Sequence, residues 1–232
     1  MSFAKFASTL HKGELFFPRA TNLGDRFEGT LPQPHVDYWL EVAKRSEVQD
    51  VERLYKFFRD TPSAMRPYHF ISCWSENPDE SAALWTYYTR GSETVAIRST
   101  FGRLCDSLKD ETKPVQIGRV QYIDFKHESA GDPHDDYALY FAKRRSFSFE
   151  REVRAMVFDV PSDDKGWGPM YDADPAAAGH FMKTNLAQLI ESVYVAPDAP
   201  SWLDSLVRGT LDLHGLKDVE VRRSSLADSP LV

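Results

Sequence analysis

Cysteine is scarce in this chain of 232 residues, which contains only Cys73 and Cys105. Two cysteines are too few for the disulfide framework of a small secreted protein, so we expect a reducing, cytoplasmic location. Cys73 follows His69 by four positions, but no second Cys/His pair stands at zinc-finger spacing. The sequence therefore predicts a cytoplasmic protein with no metal site, in which Cys73 is a core thiol.

Long apolar runs are also missing. No stretch of about 20 apolar residues is present, and a membrane-spanning helix needs one. The residues after Met1 (Ser-Phe-Ala-Lys-Phe) lack the apolar centre of a signal peptide. We therefore expect no membrane partner.

Positive charge is in deficit. Lys and Arg number 28 against 35 Asp and Glu, which gives a net charge of −7. This balance disfavours wholesale binding to nucleic acid, although a local basic patch remains open. Lys143, Arg144 and Arg145 form one such run, beside Phe141 and Phe147. The run is either a nucleic-acid contact that also stacks bases or a solvated face.

The hydrophobic fraction of 42% and the aromatic fraction of 13% are enough to fill a core. We predict one α+β domain over residues 1–227, with residues 228–232 as a frayed tail. Apolar periodicity predicts helices at 3–12, 35–60, 77–91, 101–108 and 200–214. Strands are predicted at 14–19, 70–75, 95–98, 115–125, 149–160, 192–196 and 218–222. Residues 162–179 form a Gly- and Pro-rich insertion, expected to be mobile.

Helices and strands do not alternate regularly, which disfavours a doubly wound parallel sheet. The order predicts a mixed, mostly antiparallel sheet with packed helices. The alternative arrangement within this prediction is two small sheets around a cleft.

The strand at 149–160 carries two carboxylates. If it is regular, Glu150, Glu152 and Arg154 share one face, with the two acids roughly 7 Å apart. Paired carboxylates raise each other's pKa, and a nearby cation offsets this, which suits acid/base chemistry or the binding of ribose hydroxyls. The alternative is a surface ladder of charges with a structural role only.

A second lead is the strand at 70–75 and the helix after it. Ser72 and Trp74 point one way, and Cys73 and Ser75 the other. Asn77, Pro78 and Glu80 form a helix-start signal, with Glu80 at the position of a capping-box acid, next to the acid Glu76. Ser81, Trp85 and Tyr88 share one face of that helix, so hydroxyls and a helix N-terminus could bind an anion or polar ligand. Equally, the tryptophan could be core and the serines could bond backbone groups.

A third lead is the turn near residue 25. Asp25 fits the geometry of the turn itself, whereas roles for Arg19 and Glu28 stay open.

Five ordered blocks resemble the prokaryotic domain-of-unknown-function family 2971. They are Leu-Phe-Phe-Pro-Arg-Ala-Thr-Asn-Leu-Gly-Asp-Arg-Phe-Glu-Gly at 15–29, Ser-Cys-Trp-Ser at 72–75 with the helix that follows, Val-Ala-Ile-Arg-Ser-Thr at 95–100, Gly-Arg-Val-Gln-Tyr-Ile at 118–123, and the Lys-Arg-Arg to Glu-Val-Arg run at 143–154. The resemblance covers most of the chain and implies no settled activity. Members of that family also carry a short strand ending in Arg-Tyr or Lys-Tyr before the first helix, which is not evident here.

The run from Phe70 to Ile97 and the Glu150-Arg-Glu152 motif are similar to the Ser-x-Ser and Glu-x-Glu elements of ADP-ribosyltransferases. This resemblance implies NAD as a substrate, with no tightly bound cofactor. It implies that Glu152 is catalytic, that Glu150 faces the acceptor, and that Ser72 or Ser75 shapes the NAD pocket. The substrate-binding set that we predict is Ser72, Trp74, Ser75, Glu76, Ser81, Trp85, Tyr88, Arg19, Lys143 and Arg154.

Three functional hypotheses follow. The first is NAD-dependent ADP-ribosyl transfer or NAD cleavage on a nucleotide-like small molecule, in phage defence or as a toxin-type activity. The second is a nucleic-acid-binding or nucleic-acid-sensing protein, which the acidic charge disfavours. The third is a non-catalytic interaction module. The sequence does not indicate an oligomeric state.

Overall fold

The computed structural model describes residues 1–88, 91–160 and 178–230. The α-helices are α1 (Phe3–Lys12), α2 (Gln33–Arg45), α3 (Val51–Met65), α4 (Ala82–Tyr88), α5 (Phe101–Ser107), α6 (Leu186–Leu189) and α7 (Trp202–Leu213). The strands are β1 (Glu14–Pro18), β2 (His69–Ser75), β3 (Val95–Arg98), β4 (Gln116–Arg119), β5 (Gln121–Ile123), β6 (Ala142–Arg144), β7 (Glu152–Phe158), β8 (Gly179–Lys183), β9 (Ser192–Val195) and β10 (Glu220–Arg223). The α+β prediction is confirmed.

The described strands form small sheets of two or three strands rather than one large sheet. β2 and β4 both pair antiparallel with β7, and β3 pairs antiparallel with β9. The pairs β9–β10 and β5–β6 are parallel. The predicted mixed, mostly antiparallel pairing is therefore confirmed.

The chain divides into two compact units. Unit 1 contains Met1–Phe16, Asn77–Thr112 and Phe181–Val232, and unit 2 contains Phe17–Glu76 and Lys113–His180. The division falls within both strands of the β1–β8 sheet. The single-domain assignment of residues 1–227 stays a prediction.

Unit 1 is built on the β3–β9–β10 sheet. Apolar residues of α1 and α7 are fully or almost fully buried, among them Phe6, Leu10, Leu203, Val207 and Leu211. The i, i+4 spacing of these residues gives each helix an apolar face. Ser2 caps α1, and Gly13 ends it in the left-handed conformation, with φ of 67°. Ser2 also pairs with Thr94, so an extended residue precedes the first helix.

Unit 2 is built on the β2–β7–β4 sheet. Its core includes Ile71 of β2, Met156 of β7, Phe125 of a loop, and Leu139 and Tyr140 of the 3-10 helix Ala138–Phe141. The central strand β7 is buried at all positions from Glu152 to Val157. A strand that is buried on both faces and still carries an acid and an arginine needs partners for those charges.

Two helix predictions were wrong. The helix expected at 35–60 is two helices, because Ser46 closes α2 and the Asp50 carboxylate caps α3 by accepting from Arg53 N. α3 then continues past Pro62 to Met65, although a proline inside a helix cannot donate the backbone bond to the residue four positions earlier. The helix expected from Asn77 begins only at Ala82, where Ser81 Oγ accepts from Leu84 N.

The strand predicted at 149–160, which carries the carboxylates, also starts later than predicted. Residues Arg145–Glu150 form a 3-10 helix, and Arg151 follows with φ of 45°, so β7 begins at Glu152. Glu150 therefore does not lie on the strand. The remaining strand predictions hold in outline, while β6 and β8 were not predicted. Residues 161–177, which contain most of the predicted insertion, and residues 231–232 of the predicted tail lie outside the described residues.

None of the helices described here is long and apolar enough to cross a membrane.

Candidate functional site

A buried network of charges lies beside β7 in unit 2. Lys143 Nζ contacts Glu150 Oε2 directly and lies 3.5 Å from both Glu28 Oε1 and Glu152 Oε2. Arg154 Nη2 lies 2.6 Å from Glu28 Oε2 and 2.6 Å from Glu152 Oε2. No side chain of this set is more than 7% exposed. We call these five residues the carboxylate–cation network.

Four separate segments of backbone supply the network. Glu152 and Arg154 alternate on one face of β7, and Lys143 comes from the centre of β6. Glu150 ends the 3-10 helix before β7, and the left-handed Arg151 turns the chain between the two acids. Glu28 follows the turn at Asp25, where Glu28 N donates to the Asp25 carbonyl. The acids therefore meet through tertiary structure and not through strand alternation alone.

The electrostatics of the network favour charged lysine and arginine. Burial is the largest influence on the pKa of Lys143 and lowers it, but Glu152, Glu150 and Glu28 together outweigh burial, so the pKa is raised. The same balance raises the pKa of Arg154. Burial raises the pKa of Glu28 in spite of Arg154 and Lys143. Acidification therefore protonates Glu28 more readily than an exposed glutamate.

Ser75 and Cys73 lie on the same sheet face as the network. In the β2–β7 register Ser75 is opposite Glu152, and Cys73 is opposite Arg154. Ser75 Oγ donates to the Glu150 carbonyl at 2.6 Å. Cys73 retains exposed surface, so the core-thiol prediction was wrong. Its pKa is raised, first by desolvation of the thiolate and also because Glu152 lies beside it, which makes it a poor nucleophile.

Ser72 and Trp74 point to the opposite face of β2, as their alternation predicts. Trp74 Nε1 donates to Ser72 Oγ at 3.1 Å, and the partners of these residues across the sheet are Ala155 and Val153. They are thus separated from the carboxylates by the sheet. Of the two serines that could shape a pocket with the acids, only Ser75 shares their face.

Two further predicted residues of unit 2 lie outside the network. Glu76 forms a two-bond ion pair with Arg119, at 2.7 Å for each bond, and both side chains are exposed. Arg19 is buried, and its guanidinium carbon lies 5.6 Å from the centre of the Phe70 ring.

Ser81, Trp85 and Tyr88 belong to unit 1 and have local partners there. Ser81 caps α4, and Trp85 Nε1 donates to Glu80 Oε2 at 3.0 Å. The other oxygen of Glu80 accepts from Ser225 N at 2.9 Å. Glu80 is therefore a tertiary anchor and not the capping-box acid that the sequence indicates.

The basic run is only partly solvated, because Arg144 and Arg145 have exposed side chains whereas Lys143 is buried. Lys143 is inside the network, Arg144 pairs with the buried Asp25, and Arg145 pairs with Glu128. Each cation of the run therefore already has a carboxylate partner. This weighs against a phosphate-binding patch for a nucleic-acid strand.

Sequence reasoning missed two members of the site. Glu28 was left without a role, and Tyr122 was not singled out. The Tyr122 hydroxyl accepts from Glu152 N at 2.8 Å, and burial raises the pKa of the phenol. The only sequence signal for either was their presence in the family-like blocks. In the described part of the chain, no group of His, Cys, Asp and Glu residues is arranged to hold a metal ion.

Comparison with known protein families, curated proteins and solved structures gives no match to this chain. The resemblance to the domain-of-unknown-function family 2971, and the weaker one to ADP-ribosyltransferases, therefore stay predictions. A functional assignment has to come from the chemistry of the network.

Proposed function

We propose that this protein cleaves NAD at the nicotinamide–ribose bond and transfers ADP-ribose to an acceptor or to water. One observation supports the proposal most. Two carboxylates and the Ser75 hydroxyl, which is 75 residues away from Glu150, meet on one side of the β2–β7 pair. The two acids also share a lysine, so their positions relative to each other are fixed.

In this proposal Glu152 is the carboxylate that acts on the ribose bonded to nicotinamide. Its Oε2 is held by Arg154 and lies within 3.5 Å of Lys143, and its backbone N donates to Tyr122. A carboxylate whose position is fixed before substrate binds needs little rearrangement as positive charge develops in the transition state. The exposed surface of Cys73, beside Glu152, gives the site an open side.

The reaction breaks the bond between C1′ and the nicotinamide nitrogen. The bonding electrons leave with nicotinamide, and C1′ gains positive charge that Glu152 stabilises. The acceptor oxygen or nitrogen then adds to C1′ and loses its proton, which Glu150 receives. Lys143, bonded to Glu150, is placed to balance the charge during that proton transfer.

The substitution Glu152→Gln tests the proposal. Gln keeps the shape of the side chain but carries no charge to stabilise C1′. We expect the rate of nicotinamide release from NAD to fall about a hundredfold or more. Chromatography of nicotinamide and ADP-ribose, with and without candidate acceptors, measures that rate.

Glu220→Gln is the matched control. Glu220 is exposed and pairs with Arg222 on β10, so the same chemical change there should leave the rate unchanged. The proposal is wrong if the unsubstituted protein releases no nicotinamide, or if Glu152→Gln retains the full rate while folded.

A further inference from the structure

The geometry points to Arg144 and Phe27 as a binding site for a nucleoside diphosphate. Arg144 belongs to β6, one residue after Lys143. Its side chain is 42% exposed, whereas its carboxylate partner Asp25 is fully buried. An exposed cation on a buried anion is held in one orientation while its outer edge stays accessible to a ligand.

Asp25 occupies only one edge of the guanidinium. Arg144 Nε donates to Asp25 Oδ2 at 3.0 Å, and Nη2 lies 2.8 Å from Asp25 Oδ1. Among the described residues, Nη1 of Arg144 has no hydrogen-bond partner. The edge formed by Nη1 and the second N–H of Nη2 can therefore bind two oxygens of a phosphate group in the fork geometry that arginine favours.

Two aromatic rings fix the plane of the guanidinium. Its central carbon lies 4.6 Å from the centre of the Phe27 ring and 5.5 Å from that of Phe147. Phe27 is held in turn, because its backbone N donates to Asp25 Oδ1 at 3.2 Å and its ring packs edge-on against Phe125. Arg144 thus loses little side-chain freedom when an anion binds.

Phe27 supplies the surface for a base. It is 41% exposed, which is unusual for a phenylalanine held so rigidly. A nucleobase can stack on an exposed aromatic ring, a contact that proteins binding single-stranded nucleic acids use. An anion-binding edge next to a flat apolar surface fits a nucleotide better than it fits free phosphate.

The site adjoins the carboxylate–cation network. Lys143 Nζ lies 4.8 Å from the centre of the Phe147 ring, the same ring that flanks Arg144. A diphosphate at Arg144 would then lie across one phenyl ring from the lysine that binds Glu150. The choice of NAD as the physiological ligand rests on the proposed function, but the binding of a diphosphate does not.

Calorimetric titration with ADP and with adenosine tests the inference. We expect the unsubstituted protein to bind ADP at least about tenfold more tightly than adenosine, because only ADP offers oxygens to Arg144. Arg144→Gln should weaken ADP binding by about ten- to a hundredfold and leave adenosine binding unchanged.

Arg59→Gln is the control. Arg59 also pairs with a neighbouring aspartate through Nε and Nη2 and lies over a tyrosine ring, but its partner Asp60 is half exposed. ADP should bind this variant as it binds the unsubstituted protein. Because Arg144→Gln leaves Asp25 buried without its cation, the double variant Asp25→Asn/Arg144→Gln replaces it if the single variant does not fold.

The inference is overturned if the unsubstituted protein does not bind ADP, if ADP and adenosine bind equally, or if ADP binding survives loss of Arg144. The two proposals fail separately. If ADP binding depends on Arg144 but the protein releases no nicotinamide, only the enzymatic proposal is contradicted. If nicotinamide release depends on Glu152 but the affinity for ADP does not depend on Arg144, only the diphosphate site is contradicted.

Discussion

Individual residues of unit 2 carry charges that a protein interior normally excludes. Arg154 has no exposed surface, and the acids beside it have almost none. Removing one partner from such a network leaves an unpaired buried charge, which typically costs about 3–5 kcal/mol. Replacing all members with apolar residues often costs nothing, so stability alone does not explain why they are there. A chemical role for these residues is the simpler account.

His69 provides a pH test at the same scale. The imidazole is buried, stacks on Tyr140 with ring centres 3.7 Å apart, and donates from Nδ1 to the Met65 carbonyl. Burial lowers its pKa to about 4, against 6.5 in an unfolded chain, while the bond to Met65 opposes the shift. The neutral ring is therefore favoured in the folded state. The stability that the neutral His69 ring contributes is fully present above pH 6.5 and is lost as the pH falls toward 4. The free energy of unfolding falls by about 3 kcal/mol in total from this group.

The substitution His69→Phe should flatten that dependence. A phenyl ring keeps the stacking on Tyr140 but does not titrate, so the free energy of unfolding should fall less between pH 7 and pH 4.5 than in the unsubstituted protein. Urea unfolding at several pH values measures this. His127→Gln, at an exposed histidine, should leave the dependence intact. An equally steep fall in the His69 variant would show that other groups cause it.

At the scale of elements, the sequence predicted most of the regular structure because apolar spacing is a local property. α1, α5, α7, β2 and β9 were all expected within a few residues of their positions. One of the wrong boundaries has a tertiary cause. Glu80 was assigned to a helix start because its spacing fits a capping box, yet it bonds Ser225, which lies 145 residues away.

The candidate site was only partly predictable for the same reason. Alternation along one strand gave Glu152 and Arg154 a common face, and this is how they lie. It also gave Glu150 that face, although Glu150 reaches the network from a 3-10 helix through the left-handed Arg151. Glu28 could not be assigned, because no local pattern indicates that the turn at Asp25 meets β7.

Arg151 yields a prediction about the link between those two elements. It is the only residue other than glycine with positive φ in the described ranges, at 45°. A side chain in this conformation costs about 1 kcal/mol, which glycine avoids. Arg151→Gly should therefore raise the free energy of unfolding by about 0.5–1 kcal/mol, as measured by urea denaturation. Arg151→Ala keeps a Cβ and should give no such gain. Equal stabilisation by both variants would show that loss of the arginine charge, and not relief of backbone strain, raises the free energy of unfolding.

Across the whole molecule, charge is the property that separates the functional hypotheses. The chain carries a net charge of −7, and the cations of its densest basic run are paired with Glu150, Asp25 and Glu128. A protein gains affinity for a nucleic-acid strand by replacing condensed counterions with several unpaired lysines or arginines. A small diphosphate needs only one oriented arginine, so the same molecule can bind a nucleotide and still repel a polyanion.

We therefore expect no saturable binding of single- or double-stranded oligonucleotides. The dissociation constant should exceed about 100 µM at physiological salt, the weak end of non-specific binding. Fluorescence anisotropy of labelled DNA and RNA, at 50 mM and 200 mM salt, measures it. Arg145→Glu serves as a comparison, because the reversed charge should change nothing if the run makes no nucleic-acid contact. Micromolar binding that weakens about 40-fold across this salt range, as three phosphate contacts require, and that is lost in Arg145→Glu, would instead show that the run releases its carboxylates to bind phosphates.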